Sequence, residues 1–256
     1  MAQELTVEEA QTNLERKRQT LNGDIPSMSL TDIKAEINDI ANRAMEFQVE
    51  ETSKGELSPK EKYYLDKYPT PEALLRGIGV GKRHEACSFD SYQGKEKTVN
   101  ACKEFIESPA DMVLTGVPGT GKTHLAVAIL RELVEGKKIK NEMDACFIPV
   151  PELLAEIRAS YRDGGPDERD IIGRYSRLPF LVLDDLGAEK TTEWSITTLY
   201  LIIDRRYRNM RPTIITTNLS LEQIAAALSE RISSRLASGK VLLLTGQDYR
   251  MKRGNP

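Results

Sequence analysis

Tryptophan occurs once in the 256 residues, histidine twice and cysteine three times. Cys87, Cys102 and Cys146 are odd in number and far apart, which argues against a disulfide framework. His84-x-x-Cys87 with Cys102 is the start of a zinc site, but four ligands are needed, and only His124 and Cys146 remain to supply them. A reduced, cytoplasmic chain is the expectation. Long apolar runs are missing too, and none approaches the roughly 20 residues of a membrane span. The opening Met-Ala-Gln-Glu-Leu-Thr has neither the basic start nor the apolar core of a secretion signal. Basic excess is also lacking, since 36 Lys and Arg stand against 39 Asp and Glu for a net charge of −3. That excludes a global attraction to nucleic acid or anionic lipid, so any such contact must come from a local patch. There are no internal repeats and no low-complexity tract.

What is present is an ordinary globular composition, 39% apolar and 29% charged, with room for one α/β core and a smaller appendage. The first part reads as helical. Leu30, Ile33, Ile37, Ile40, Ala44 and Phe47 recur at helical spacing behind a Ser29-x-x-Asp32 cap. Glu50–Leu57 is polar and reads as a linker. Ser58-Pro59 opens a short helix with Tyr63, Tyr64 and Leu65, and Thr70-Pro71 opens another that Gly77 closes. So thin an apolar content suits either a helical decoration of the main domain or a partner-binding module. The expected division is residues 1–85 for this region and 86–256 for the main domain.

From about Phe89 short apolar strands alternate with amphipathic helices. Strands are expected at 111–115, 144–148, 180–184, 212–217 and 241–244. Helices are expected at 122–135, 151–162, 167–177, 191–209 and 221–236. The pattern predicts a mostly parallel sheet with helices on both faces.

Met112–Thr115 runs directly into Gly116-Val117-Pro118-Gly119-Thr120-Gly121-Lys122-Thr123, which is G-x-x-x-x-G-K-T between a strand and a helix. Glycines let the backbone wrap a phosphate, so loop N–H groups and the helix N-terminus face the anion. Gly116, Pro118, Gly119, Thr120, Gly121, Lys122, Thr123 and His124 are the expected ATP/ADP contacts. Lys122 is expected on the β- and γ-phosphates, and the Thr123 hydroxyl on Mg²⁺. Leu181-Val182-Leu183-Asp184-Asp185 is an apolar strand ending in two carboxylates. Asp184 is placed to hold magnesium, and Asp185 to orient or deprotonate the attacking water. A third strand ends at Asn218, whose amide can either sense the γ-phosphate or cap the next helix.

Together these residues resemble AAA+ ATPases, and more closely the DnaC/IstB-like group. The resemblance spans roughly Ser88 to Arg250. It rests on Ser-Phe-Asp-Ser-Tyr at 88–92, GVPGTGKTHLA at 116–126, LVLDDLG at 181–187, RRYRNMRPTIITTNLS at 205–220, ERISSRL at 230–236 and DYR at 248–250. It implies a sheet of order 5-1-4-3-2 without the usual C-terminal lid, and a homo-oligomeric ring or helical filament with ATP between subunits. It also implies Asn218 as sensor and Arg235 as a finger reaching a neighbour. The second acid of this group is often Glu, and the shorter Asp185 implies slow hydrolysis until a partner adjusts the geometry.

Arg158, Tyr161, Arg162, Arg174, Tyr175 and Arg177 lie on the two helices between the second and third strands. In the group this insertion faces single-stranded DNA, and Arg158, Tyr161 and Arg162 are the expected contacts. Glu152, Glu156, Asp163, Asp167, Glu168 and Asp170 dilute the charge, and a solvated amphipathic pair fits as well. The resemblance implies a replicative helicase loader whose N-terminal region binds the helicase. An IstB-like helper of a DNA transposase, or an ATP-switched adaptor with little turnover, remains open.

Overall fold

The computed structural model describes residues 58–160, 167–246, 248 and 249. They fall almost entirely in one compact unit beginning at Pro59. The expected helix at 30–47 and the linker at 50–57 lie outside the described residues, as do Tyr161 and Arg162.

In chain order the elements are α1 (Pro59–Lys67), α2 (Pro71–Gly77), α3 (Glu96–Glu107), β1 (Met112–Thr115), α4 (Lys122–Glu135), β2 (Ala145–Pro149), α5 (Val150–Ala159) and α6 (Glu168–Arg177). They continue with β3 (Phe180–Leu186), α7 (Glu193–Arg208), β4 (Thr213–Thr217), α8 (Leu221–Ala227), α9 (Glu230–Ala237) and β5 (Lys240–Leu243). All strand pairs are parallel and the order is β2-β3-β4-β1-β5, the order expected. Among the described residues no helix is long and apolar enough to cross a membrane.

Strand side chains alternate between two cores, as the period of two requires. Met112, Leu114, Val182 and Ile214 pack with Leu75, Cys102, Phe105, Leu125, Ile129 and Leu133 from α2, α3 and α4. Val113, Leu181, Leu183 and Ile215 pack with Leu153, Ile157, Ile172, Leu199, Ile202 and Ile232 from α5, α6, α7 and α9. A parallel sheet covered on both faces explains why its strands read as continuous apolar runs.

Two expectations need correction. Leu74, Leu75, Ile78 and Val80 are buried in the first core, and the Phe147 N–H on β2 donates to Ile78 O at 2.7 Å. The expected division after residue 85 therefore falls inside a packed unit that starts at Pro59. The expected single helix at 221–236 is two, α8 and α9, because Ser229 is extended (φ −173°) and its hydroxyl caps Ile232 N–H.

Candidate nucleotide site

β1 lies between β4 and β5, so the loop it feeds opens at the C-terminal edge of the sheet, beside the ends of β3 and β4. Gly116 sits at φ +142°, where a Cβ would come within 2.2 Å of Leu244 O, so only glycine lets the loop leave β1 this close to the end of β5. Gly121 caps α4 at φ +92°, and its missing side chain leaves room for the Tyr92 ring. α4 has no acid in its first turn, which leaves the positive end of its dipole free to attract an anion. Lys122 is buried, and its ammonium donates to the carbonyls of Gly116 (2.7 Å) and Val117 (2.9 Å). Thr120 Oγ1 donates to Val117 O at 2.9 Å and tightens the same turn.

The two acids of β3 separate in environment. Asp184 is buried, and its Oδ1 accepts from Thr123 Oγ1 at 3.0 Å and from Thr216 Oγ1 at 2.6 Å. Burial, the largest influence, raises its carboxyl above the usual range, the two hydroxyl bonds pull it back, and Asp185 pushes it up again. Asp185 is half-buried and sits in the left-handed region at φ +57°, a sparse conformation for a residue with a Cβ. Asn218 directly follows β4 and is exposed. The strand order thus gathers the loop, Asp184, Asp185 and Asn218 at one edge of the sheet.

A hydroxyl and a carboxylate already within hydrogen-bond reach are the hard oxygen donors that suit Mg²⁺, so Thr123 and Asp184 fit that ion.

His124 faces elsewhere. Its Nε2 is 2.8 Å from Ser88 O, and because a carbonyl only accepts, this nitrogen carries the proton; Ser91 Oγ is 3.2 Å away. The imidazole pins the 88–92 segment to α4 while Tyr92 lies over Gly121. From the other end of the chain, the Tyr249 N–H donates to Gly119 O and its hydroxyl to Gln93 O. Both flanking segments therefore meet on the phosphate loop.

Arg235, on α9, is engaged within its own chain. Its Nε donates to Asp204 Oδ1 at 2.8 Å, its Nη2 to the Tyr200 hydroxyl at 3.0 Å, and its guanidinium lies 4.8 Å from the centre of the Tyr200 ring. Of the insertion, Arg158 is exposed and its guanidinium lies 4.6 Å from the centre of the Trp194 ring, whose Nε1 donates to Glu168. Tyr175 is buried, and Glu156 takes both its hydroxyl and the Arg174 guanidinium. Tyr175 is therefore a packing residue between α5 and α6 and unable to stack on a base, while Arg174 stays exposed.

Sequence reasoning passed over Thr216, Asp204 and Trp194. The hydroxyl inside the buried run Thr213–Thr217 was a signal for the first, and the single tryptophan opening α7 a weak one for the last.

Residues 88–253 match the family described as IstB-like ATP binding protein. The replicative helicase loader DnaC of Escherichia coli K12 is 29% identical over 173 residues, covering 64% of this chain and 68% of that protein. The crystal structure of a DnaC helicase loader superposes with a TM-score of 0.57 at 30% identity, over 64% of this chain and all of that one. AMPPCP-bound DnaA from Aquifex aeolicus, at 17% identity and a TM-score of 0.56, covers 68% of this chain and 54% of that one and shares the fold.

Proposed function

Since the chain belongs to the IstB-like ATP-binding family, we propose that it is a magnesium-dependent ATPase that delivers a replicative DNA helicase to single-stranded DNA in the cytoplasm. The observation that carries this reading is the junction of the phosphate loop with Asp184 through Thr123, in a chain alike to DnaC loaders over its ATPase segment.

ATP would bind with its phosphates against the N–H groups of Gly119–Thr123 and the open end of α4. Lys122 must leave the carbonyls of Gly116 and Val117 to meet them, so phosphate binding exchanges one set of acceptors for a more negative one. Thr123 and Asp184 would hold Mg²⁺, which neutralises phosphate charge when bound. Asp185 orients the attacking water or takes its proton, and Asn218 reads the γ-phosphate from the end of β4. Arg235 of one subunit completes the pocket of the next in a homo-oligomeric ring or filament, and to do so its guanidinium exchanges Asp204 and Tyr200 for the neighbour.

Arg158, with Tyr161 and Arg162 beyond it, contacts single-stranded DNA. The N-terminal region binds the helicase. Because residues 59–85 belong with the ATPase unit, the docking part is assigned to the residues before Pro59.

Size-exclusion chromatography of the full chain with a replicative helicase, ATP and Mg²⁺ tests the reading. Co-elution should occur and the complex should pass the helicase to a single-stranded oligonucleotide; the Lys122→Ala variant should co-elute but fail to pass the helicase on, with ATP affinity reduced at least about tenfold by calorimetry. Unchanged ATP affinity for that variant would sink the phosphate assignment. Association with a DNA transposase and not with the helicase would replace the loader reading.

A further inference from the structure

We infer that Thr216 is a positioning residue for hydrolysis, whose one hydroxyl contacts both acids of β3 from β4. The inference rests on the reading of Asp184 and Asp185 as the metal-holding and water-orienting acids.

The pairing of β3 with β4 is regular up to Leu183↔Ile215 and resumes at Leu186↔Thr217. Between these pairs β3 has two residues, Asp184 and Asp185, and β4 has one, Thr216. This is a bulge, the device by which a strand re-aims its side chains beside a site. A bulge interrupts the ladder, so the backbone here needs another partner. The Thr216 hydroxyl supplies it, accepting the Asp185 N–H at 2.9 Å while donating its proton to Asp184 Oδ1 at 2.6 Å. One hydroxyl thus satisfies the left-handed Asp185 backbone and sets the Asp184 carboxylate.

Packing alone does not call for threonine at this point. The position is fully buried between Ile215 and the end of the strand, where valine has the same shape and at least the same strand preference. What valine lacks is the hydroxyl. Of the two hydroxyls on Asp184 Oδ1, Thr123's belongs to the phosphate loop, and Thr216's comes from outside it. Thr216 therefore keeps Asp184 oriented when the loop rearranges around nucleotide. Asn218 lies two residues further along the chain, just past the end of β4, so displacement of the β4 end reaches the sensor amide and both acids together.

Thr216→Val and Thr216→Ser in the full chain separate this role from packing. ATP affinity without metal should stay within about twofold in both. In the valine variant the Mg²⁺ concentration for half-maximal hydrolysis should rise about tenfold and kcat fall about tenfold, with KM for ATP at saturating Mg²⁺ unchanged, the low end of what one bond to a charged group contributes. Its Asp185 amide should exchange with solvent at least about tenfold faster. Serine should restore every value to near that of the parent. If valine does not fold, Thr216→Ala against serine gives the same comparison. Parental magnesium dependence and kcat without the hydroxyl would overturn the inference, as would an unchanged Asp185 amide. Asp184→Ala separates the two levels. If that variant hydrolyses ATP at the parental rate, the acid-pair reading itself fails; if it is inactive while valine at 216 is not, only Thr216 loses its role.

Discussion

Arg206 is a charged side chain with no solvent exposure, at the opposite end of the sheet from the phosphate loop. It donates to Thr213 Oγ1 and to the carbonyls of Tyr175, Leu178 and Pro212, between 2.6 and 2.9 Å, and so ties the end of α6 to the start of β4. Burial pushes the guanidinium down to about 9, and the nearby carboxyl of Asp111 offsets part of that. Arg206→Met should lower unfolding stability by about 3–5 kcal/mol, measured by urea titration, because three buried acceptors and one part-buried acceptor lose their donor at once. Arg206→Lys should recover little, since an ammonium cannot reproduce the planar fork. The sequence held a sign of this. Leu199, Ile202, Ile203 and Arg206 share one helical stripe, so the arginine falls on the buried face of α7. Reading RRYRNMR as a run of charge hides which member is inside. The phosphate loop was legible for the opposite reason, because its glycines, lysine and threonine are adjacent in the chain and need no tertiary contact to be recognised. Thr216 was not, because its meaning lies in a bulge on another strand.

Among elements, the one long helix expected at 221–236 shows where periodicity misleads. Ile224, Leu228, Ile232 and Leu236 keep a spacing of four across the break, so the apolar stripe runs on through a backbone that does not. Only local chemistry marks the division, as Ser229 caps α9 through Ile232 N–H at 3.1 Å. α3 escaped notice because Lys95 gives it no side-chain cap and so no sequence signature at its start. The break matters for function, since α9 is a separate short helix held to α7 by the bonds from Arg235 to Asp204 and Tyr200. Arg235→Ala should reduce hydrolysis by about tenfold or more, below the roughly 10³–10⁵ of faster enzymes with such a finger. Mixing it with Lys122→Ala subunits should restore part of the rate, because one mixed interface pairs an intact loop with an intact arginine. Full activity of Arg235→Ala alone would end the role between subunits. Loss without rescue, with assembly intact, would confine Arg235 to its own chain.

At the level of the whole molecule, the strand order followed from the resemblance, but the boundary of the folded unit did not. α1 and α2 read from sequence as part of a thin helical appendage, because Leu74, Leu75, Ile78 and Val80 are few and their partners on α4 and β2 are far along the chain. Removing residues 1–57 should leave melting temperature and ATP affinity close to those of the full chain. Removing residues 1–80 should abolish folding, because about 1.5–3 kcal/mol for each of those four side chains is comparable to the whole stability of a domain. Circular dichroism melting and calorimetry on the two truncations check this. The strand order has a further consequence, for synthesis. β1, which feeds the phosphate loop, pairs only with β4 and β5, both of which lie after residue 212. A nascent chain on the ribosome has the loop sequence early but neither strand that flanks it, so the site is assembled only after residue 243 has been made. A copy interrupted before β4 has the phosphate-loop sequence and is silent toward ATP.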